Sequence, residues 1–352
     1  MRKTGRTAEQ RQRQEHWPAP PIGDTEIADR ELGCLVKYML GDECGQGGTS
    51  KVIAGTEVAT GRPVAVKVLD RAPGEDAFFA TNFENEIRIL RALAHPHVMP
   101  VLDAGLTDAG QAYLVMPLMQ GGDLWHVLEA IKAGHERILA FWTRRRQRRA
   151  FLQLASAVRH AHRHGIIHRD LKPSNVLFDR HGHVRLSDWG LAGPPGSLTF
   201  APEGSHRGLV GDSSHAVGGT AGYMSPEHVG GVGRDIGIRS DIWSLGAILY
   251  ELLTLHPVVN GQTEDEKMVS TRRGALLDLR VHARLGEIPK ALAQVVIRAL
   301  AHDATDRYAT VDDFAAALRQ APWPDQMPGR LGLGNPATDK HTWRSPAAGE
   351  GL

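Results

Sequence analysis

The sequence predicts a mixed α+β chain in which a small β-rich part with one helix precedes a larger, mainly helical part. Three observations predict it. From Lys37 to Leu69, short runs rich in β-branched residues (VIAGTEV, PVAVKVL) flank turn residues such as ATGR. Phe83, Ile87, Leu90 and Leu93 then recur at helical spacing, with Ile87 and Leu90 expected to face inward. After Gly121 helical patterns dominate, and DIWSLGAILYELL is apolar nearly all round, as a helix buried on every side would be.

The elements fall in order along the chain. Residues 1–36 are polar and contain PAPPIG, the composition of a loosely ordered arm. The ordered part spans 37–320, with its β-rich portion at about 37–117 and its helical portion at about 120–320. Within the latter, Phe151, Leu154, Val158 and His162 mark one face of a helix running to Gly165, and VLFDRHGHVRLSD gives two short strands about a turn. Residues 321–352 are rich in Pro and Gly and read as a tail. A cleft between the two parts is the default place for a ligand.

Composition narrows the function classes. Of 352 residues, 41% are hydrophobic, enough for a sizeable core, and the formal net charge of +1 gives no case for nucleic acid. Cys34 and Cys44 have neither metal-ligand nor disulfide spacing, which fits a reducing cytoplasm. No run approaches the 18 apolar residues of a membrane span, and the basic N-terminus lacks the apolar core of a secretory signal. The arginine-rich run 144–149 is read as a solvated helix start, H160-A-H-R-H164 as helix surface and packing, and Cys44 as a small core-facing residue.

Three stretches carry chemistry. Cys44, Gly45, Gln46, Gly47, Gly48, Thr49, Ser50, Lys51 and Val52 lie between strand-like runs, and glycines there let backbone N–H groups approach phosphate oxygens. A glycine-rich hairpin turn explains this stretch equally well. Lys67, in V64-A-V-K67 on the next strand, is either a surface-edge lysine or one held for a charged partner; Glu86 is the favoured partner over Glu84. In G165-IIHRDLKPSN175, Asp170 can accept a proton from a hydroxyl, Lys172 can neutralise a transferring phosphoryl group, and Asn175 can offer a neutral oxygen to a hard cation such as Mg²⁺. Asp188, before Trp189 and Gly190, suits a second metal ligand. Each piece alone is unremarkable; their order and spacing together are not.

Taken together the chain resembles the eukaryotic-type protein kinases, in particular bacterial serine/threonine kinases, over roughly residues 37–320. The motifs are G45-x-G-x-x-S50-x-V52, V-A-V-K, Glu86, H-R-D-L-K-P-S-N, D-W-G and G219-T-A-G-Y-M-S-P-E227, followed by D241-I-W-S-L-G and D306-R-Y. The resemblance implies a two-lobed kinase fold that uses ATP and Mg²⁺ and acts on protein Ser/Thr hydroxyls. It assigns adenine to Val52, Ala65 and Leu177, with a hinge at Met116, Pro117 and Met119. Lys67, held by Glu86, takes the α/β-phosphates, and Asn175 with Asp188 holds the metal. Asp170 is the base, with Lys172 and Thr220 beside it. The same resemblance makes Asp241 the brace of the catalytic loop and pairs Arg307 with Glu227.

Four positions depart from the family pattern: Ser50 for the third glycine, Trp189 for the aromatic of D-F-G, Ser225 for the alanine of A-P-E, and Pro117 for an acidic hinge residue. None removes a catalytic group. A catalytically weak pseudokinase acting as an ATP-binding scaffold is the alternative. Arg169, beside Asp170, implies an activation segment ordered by phosphorylation; of Ser197, Thr199, Ser205, Ser213, Ser214 and Thr220, the expected acceptors are Ser214 and then Ser213, modified between two copies in a transient homodimer.

Overall fold

The computed structural model describes residues 37–46, 50–69, 77–196, 200–201, 216–231, 235–277, 279, 288–324 and 342–344. They form two compact units: the chain up to Leu124 with Val176–Ser187, and Trp125–Asn175 with the chain from Asp188 onward. The architecture is mixed α+β, an antiparallel sheet in the first unit and mainly helices in the second.

In the first unit, β1 (Tyr38–Gln46), β2 (Ser50–Glu57), β3 (Pro63–Leu69), β4 (Asp103–Leu106) and β5 (Ala112–Pro117) make one sheet in the order β1-β2-β3-β5-β4, with every pair antiparallel. Side chains alternate across β3. Val64, Val66 and Val68 are fully buried with Tyr38, Ile53, Tyr113 and Val115 on one face, which leaves Ala65 and Lys67 on the other. Gly55 on β2 lies so near β1 that a Cβ would stand 2.7 Å from the Met39 carbonyl oxygen. The turn at ATGR is where the sequence pattern expects it.

Helix α1 (Ala77–Ala92) buries Phe83, Glu86, Ile89 and Leu90, with Leu93 just beyond its end. The spacing corrects one expectation: Ile87 is only half-buried, and the inward stripe runs 83, 86, 90, 93, so a carboxylate occupies a core position. Strands β6 (Val176–Phe178) and β7 (Val184–Leu186) pair about a turn, as expected. They are tied to the first unit by backbone bonds from Gly121 to Phe178, from Phe178 to Gly122 and between Leu186 and both His97 and Met99. Gly121 is required there, because a Cβ would lie 2.5 Å from the Asp179 carbonyl oxygen.

The second unit is built around α6 (Ile238–Thr254), whose residues from Ser240 to Thr254 are all buried. Around it pack α4 (Arg144–Arg163), α8 (Lys290–Ala299) and α9 (Val311–Gln320). Gly246 permits a close crossing, since a Cβ would meet that of Ala299 at 2.9 Å. The unit also contains α2 (Leu124–Lys132, entered from the first unit), α3 (Glu136–Phe141), α5 (Pro226–Val229) and α7 (Glu264–Arg272). Two-residue strands β8 (Phe200–Ala201) and β9 (Ala216–Val217) pair with each other, and β10 (Ala275–Leu277) pairs with β11 (Thr342–Arg344).

The arginine-rich run does start a helix, capped by Thr143, but it is not uniformly solvated. Arg144 is buried and donates to the carbonyls of Leu252 and Leu253 and to Gln147. It thereby satisfies carbonyls at the C-terminus of α6, groups that a helix leaves without internal partners. Burial lowers its guanidinium pKa to about 10. Among the described residues no helix is long and apolar enough to cross a membrane.

Candidate active site

In the first unit the alternation along β3 aims Lys67 away from the valine core, and the stripe of α1 brings Glu86 to meet it. Lys67 Nζ lies 2.8 Å from Glu86 Oε2, with both side chains largely buried. Glu84 is exposed, so the structure selects Glu86. Removing two charges from water is costly, so a buried lysine–carboxylate pair of this kind is weak evidence of a stabilising role.

The remaining first-unit candidates follow from strand register. Val52 is opposite Lys67, and Ala65 is opposite both Ala54 and Met116. Pro117 closes β5 opposite Val64, after which Leu118 N donates to Pro63 and the Met119 carbonyl accepts from Gly122. Leu177 bridges to Asp123. Ser50 is buried and Lys51 half-buried, with Gly45 opposite Val52. Cys44 is exposed, not core-facing, because β1 shifts register on either side of Glu43 and carries Cys44 out of regular pairing. Gly47, Gly48, Thr49 and the side chain of Gln46 lie outside the described residues.

The second unit assembles the residues of the loop after α4. Thr220 Oγ1 donates to Asp170 Oδ1 at 2.7 Å, and Lys172 Nζ stands 2.7 Å from Asp170 Oδ2 and 3.0 Å from Thr220 Oγ1. Asn175 Nδ2 donates to the Asp170 backbone carbonyl at 2.8 Å. One carboxylate thus faces a hydroxyl and an ammonium together, the arrangement a hydroxyl nucleophile and its base require.

The loop is braced from below. Asp241 on α6 accepts from the backbone N–H of His168 and of Arg169 and from His162 Nε2. Burial alone would raise its carboxyl pKa, but the His162 hydrogen bond and the neighbouring His168 hold it below its ordinary value. The brace holds Arg169 in an unusual backbone, with φ 69°, and Asp188 shares that left-handed conformation at φ 61°; such conformations cluster at functional sites. Trp189 is fully buried with its ring 4.5 Å from that of His168. The Arg169 guanidinium donates to the carbonyls of Leu191 and Pro194.

The segment leading to Glu227 is anchored by Arg307, whose two terminal nitrogens each donate to a Glu227 oxygen at 2.8 Å. Ser240 Oγ also donates to Glu227, and Arg307 is buried beneath Trp243. Sequence reasoning missed three further contacts. His162 reaches Asp241; Tyr223 donates to Glu251 at 2.6 Å, where Lys132 also approaches; and His228 reaches the Gly218 carbonyl. Only His162 carried a signal, its place on the Phe151–Val158 face. Ser213 and Ser214 lie outside the described residues, as do Ser197, Thr199 and Ser205.

The donor chemistry fits Mg²⁺ held jointly with nucleotide phosphates. Asn175, whose Nδ2 donates to the Asp170 carbonyl, carries a neutral amide oxygen, and Asp188 carries a carboxylate. Among the described residues there is no cluster of three or more His, Cys, Asp or Glu that would hold a cation unaided.

A five-stranded antiparallel sheet bearing a buried Lys–Glu pair, together with a helical unit bearing this braced Asp–Lys–Asn loop, defines the class of phosphoryl-transfer domains with kinase architecture. A family model described as the protein kinase domain matches residues 38–323, and the chain belongs to the protein kinase family. It is 30% identical over 293 residues to the serine/threonine-protein kinase PknD of Protochlamydia amoebophila, covering 79% of this chain and 29% of that protein. It is 29% identical over 286 residues to a probable serine/threonine-protein kinase PknB of Bifidobacterium longum, covering 79% and 38%. With CBL-interacting protein kinase 4 of rice it shares 38% identity over 228 residues, covering 63% and 45%. The chain spans less than half the length of each of these relatives.

Proposed function

We propose that the chain is a serine/threonine protein kinase that transfers the γ-phosphate of ATP to Ser/Thr hydroxyls of protein substrates, with residues 37–320 as its kinase domain and the cytoplasm as its location. The observation that carries the reading is the Thr220–Asp170–Lys172 constellation, in which a protein hydroxyl already sits at hydrogen-bond distance from the base. Thr220 occupies the carboxylate much as an acceptor hydroxyl would. The relatives' names support the serine/threonine class.

In this reading Val52, Ala65 and Leu177 hold the adenine, and the backbone from Met116 to Met119 supplies its polar contacts. Lys67, oriented by Glu86, binds the α/β-phosphates. Asn175 and Asp188 would hold Mg²⁺, which when bound would neutralise phosphate charge. Asp170 accepts the hydroxyl proton as the hydroxyl oxygen bonds to the γ-phosphorus and the bond to the β–γ bridging oxygen breaks, leaving ADP. Lys172 stabilises the charge on the transferring group. The chain's contribution is therefore positioning and electrostatics.

Incubation of the full chain with γ-labelled ATP, Mg²⁺ and a generic basic protein tests the proposal. Label on the protein substrate, resident on serine or threonine, is the expected result. Nucleotide binding with no transfer would favour an ATP-binding scaffold instead.

A further inference from the structure

Helix α5 carries a buried titratable side chain that the transfer chemistry leaves unused. His228 is 2% exposed, and its Nε2 lies 2.9 Å from the Gly218 carbonyl oxygen. A carbonyl only accepts, so this nitrogen carries the proton and donates. Gly218 is itself buried. The next residue, Gly219, lies against the same imidazole, since a Cβ there would stand 3.3 Å from His228 Cε1 and 3.1 Å from Met224 Sδ. Then comes Thr220, whose hydroxyl donates to Asp170 and accepts from Lys172.

The other end of this contact is rigid. Ser225 caps α5 by accepting from the His228 N–H, and the preceding residue, Glu227, is clamped by Arg307 and Ser240. Burial lowers the imidazole pKa below its ordinary value and favours the neutral form, the one that enters a buried site at least cost. Had His228 served packing alone, an apolar residue would fill the same space. It would, however, leave the buried Gly218 carbonyl without this donor, and an unsatisfied buried acceptor is costly.

We propose that His228 is a positioning residue for phosphoryl transfer: through the Gly218 carbonyl it fixes the backbone of Gly218–Thr220, and so sets the Thr220 hydroxyl against Asp170 and Lys172 where the protein substrate must approach. The inference deepens the kinase reading and rests on it. It assigns no contact with ATP to His228, so the loss of this contact falls on turnover with protein substrate.

The test uses the full chain as wild type, His228→Leu and His228→Gln, since glutamine keeps an N–H donor at similar reach. For each, kcat and KM are measured for ATP and for a generic basic protein, with Tm and deuterium uptake of peptides covering 216–224 and 238–254. His228→Leu is expected to lower kcat about three- to tenfold, the effect of one lost hydrogen bond, with the KM for ATP held within roughly twofold. Uptake should rise in 216–224 and not in 238–254, and His228→Gln should recover most of both losses.

Wild-type kcat and uptake in the leucine variant would overturn the proposal. So would equal losses of kcat and Tm in both variants, the mark of a packing role. If His228→Leu does not fold, His228→Phe, which keeps a planar ring without the N–H donor, takes its place with the same expectations. If the wild type transfers no phosphate, the kinase reading fails by itself, and the exchange comparison still decides whether His228 holds this segment: unchanged uptake in 216–224 would overturn it.

Discussion

At Asp170 both carboxylate oxygens are in use, one toward Thr220 and one toward Lys172. An asparagine there keeps the shape but turns one oxygen into a donor that faces a donor, and it cannot take up a proton. Asp170→Asn is therefore expected to abolish phosphoryl transfer and to leave ATP affinity by calorimetry unchanged; turnover on the order of wild type would remove Asp170 from its role as base. Lys67 carries a second prediction, for the phosphate-binding end of the site. Lys67→Met should yield a folded protein whose turnover falls about tenfold to a hundredfold, as expected for loss of one charge-assisted phosphate contact. Glu86→Gln should weaken turnover in the same direction, while Glu84→Gln, at an exposed position, should not. The choice between these carboxylates was legible in sequence only in part. The residues Phe83, Leu90 and Leu93 define a stripe that Glu86 completes, yet Ile87, the apolar neighbour expected to mark that stripe, stands half-buried beside it. His228 was not legible at all. A single histidine after a proline and a glutamate has no periodicity, and its partner is a backbone carbonyl ten residues away.

At the scale of elements, helix starts and loop anchors decide what composition leaves open. The run R144-RRQRR149 looks uniform, but Arg144 and Gln147 continue the face of Phe151, Leu154 and Val158 at spacings of three and four, so two of its six residues turn inward. Arg144→Ala is accordingly expected to destabilise the fold by about 1.5–3 kcal/mol, the range for buried hydrogen bonds to a charged group. Arg145→Ala, at an exposed position, should stay within about 0.5 kcal/mol. Urea unfolding of the two variants separates them, and equal effects would mean that the burial of Arg144 is not what holds the end of α6.

The Glu227–Arg307 clamp adds a pH dependence. Burial alone would raise the Glu227 pKa, but the Arg307 hydrogen bonds and charge, with Ser240, hold it below its ordinary value of 4.5. A carboxylate whose pKa is depressed on folding stabilises the native state above its unfolded pKa, and that stabilisation is lost as pH falls through the folded value. Glu227→Gln should thus be clearly less stable than wild type at neutral pH, because it leaves Arg307 buried without its counter-charge. The gap in Tm should narrow as pH drops below 4.5. A gap that stays constant from neutral to acid pH would show that the carboxylate's charge contributes nothing.

Across the whole molecule, the order of strands and helices was written in the periodicity: alternation in PVAVKVL, the all-round apolar DIWSLGAILYELL, and the turn between β6 and β7. Which parts pack together was less legible. The backbone bonds that tie 176–187 to residues 97–99 and 121–122 join stretches far apart in sequence, and hydrogen bonds between main-chain atoms leave no residue-type signature. Under the proposed function, the segment between Asp188 and Glu227 is where one copy would act on another. Arg169, whose guanidinium is buried and held by the Leu191 and Pro194 carbonyls, is the cation next to Asp170 in sequence. A phosphate carrying about −1.5 to −2 charge forms stronger, charge-assisted bonds to a guanidinium than neutral carbonyls do. A phosphorylated residue of this segment would therefore compete for Arg169 and redraw the segment's anchorage. Ser214, with Ser213 second, is the acceptor expected from the resemblance, six and seven residues before Thr220. Because Asp170 of one copy would act on the serine of another, phosphate incorporation should rise with protein concentration, and the Asp170→Asn chain should carry none when expressed alone yet accept phosphate from added wild type. Mass spectrometry of the two proteins, separately and mixed, measures this. Phosphate on neither serine in an active preparation, or full activity in the Ser213→Ala/Ser214→Ala double variant, would mean that the segment is ordered by contacts already present in the unmodified chain.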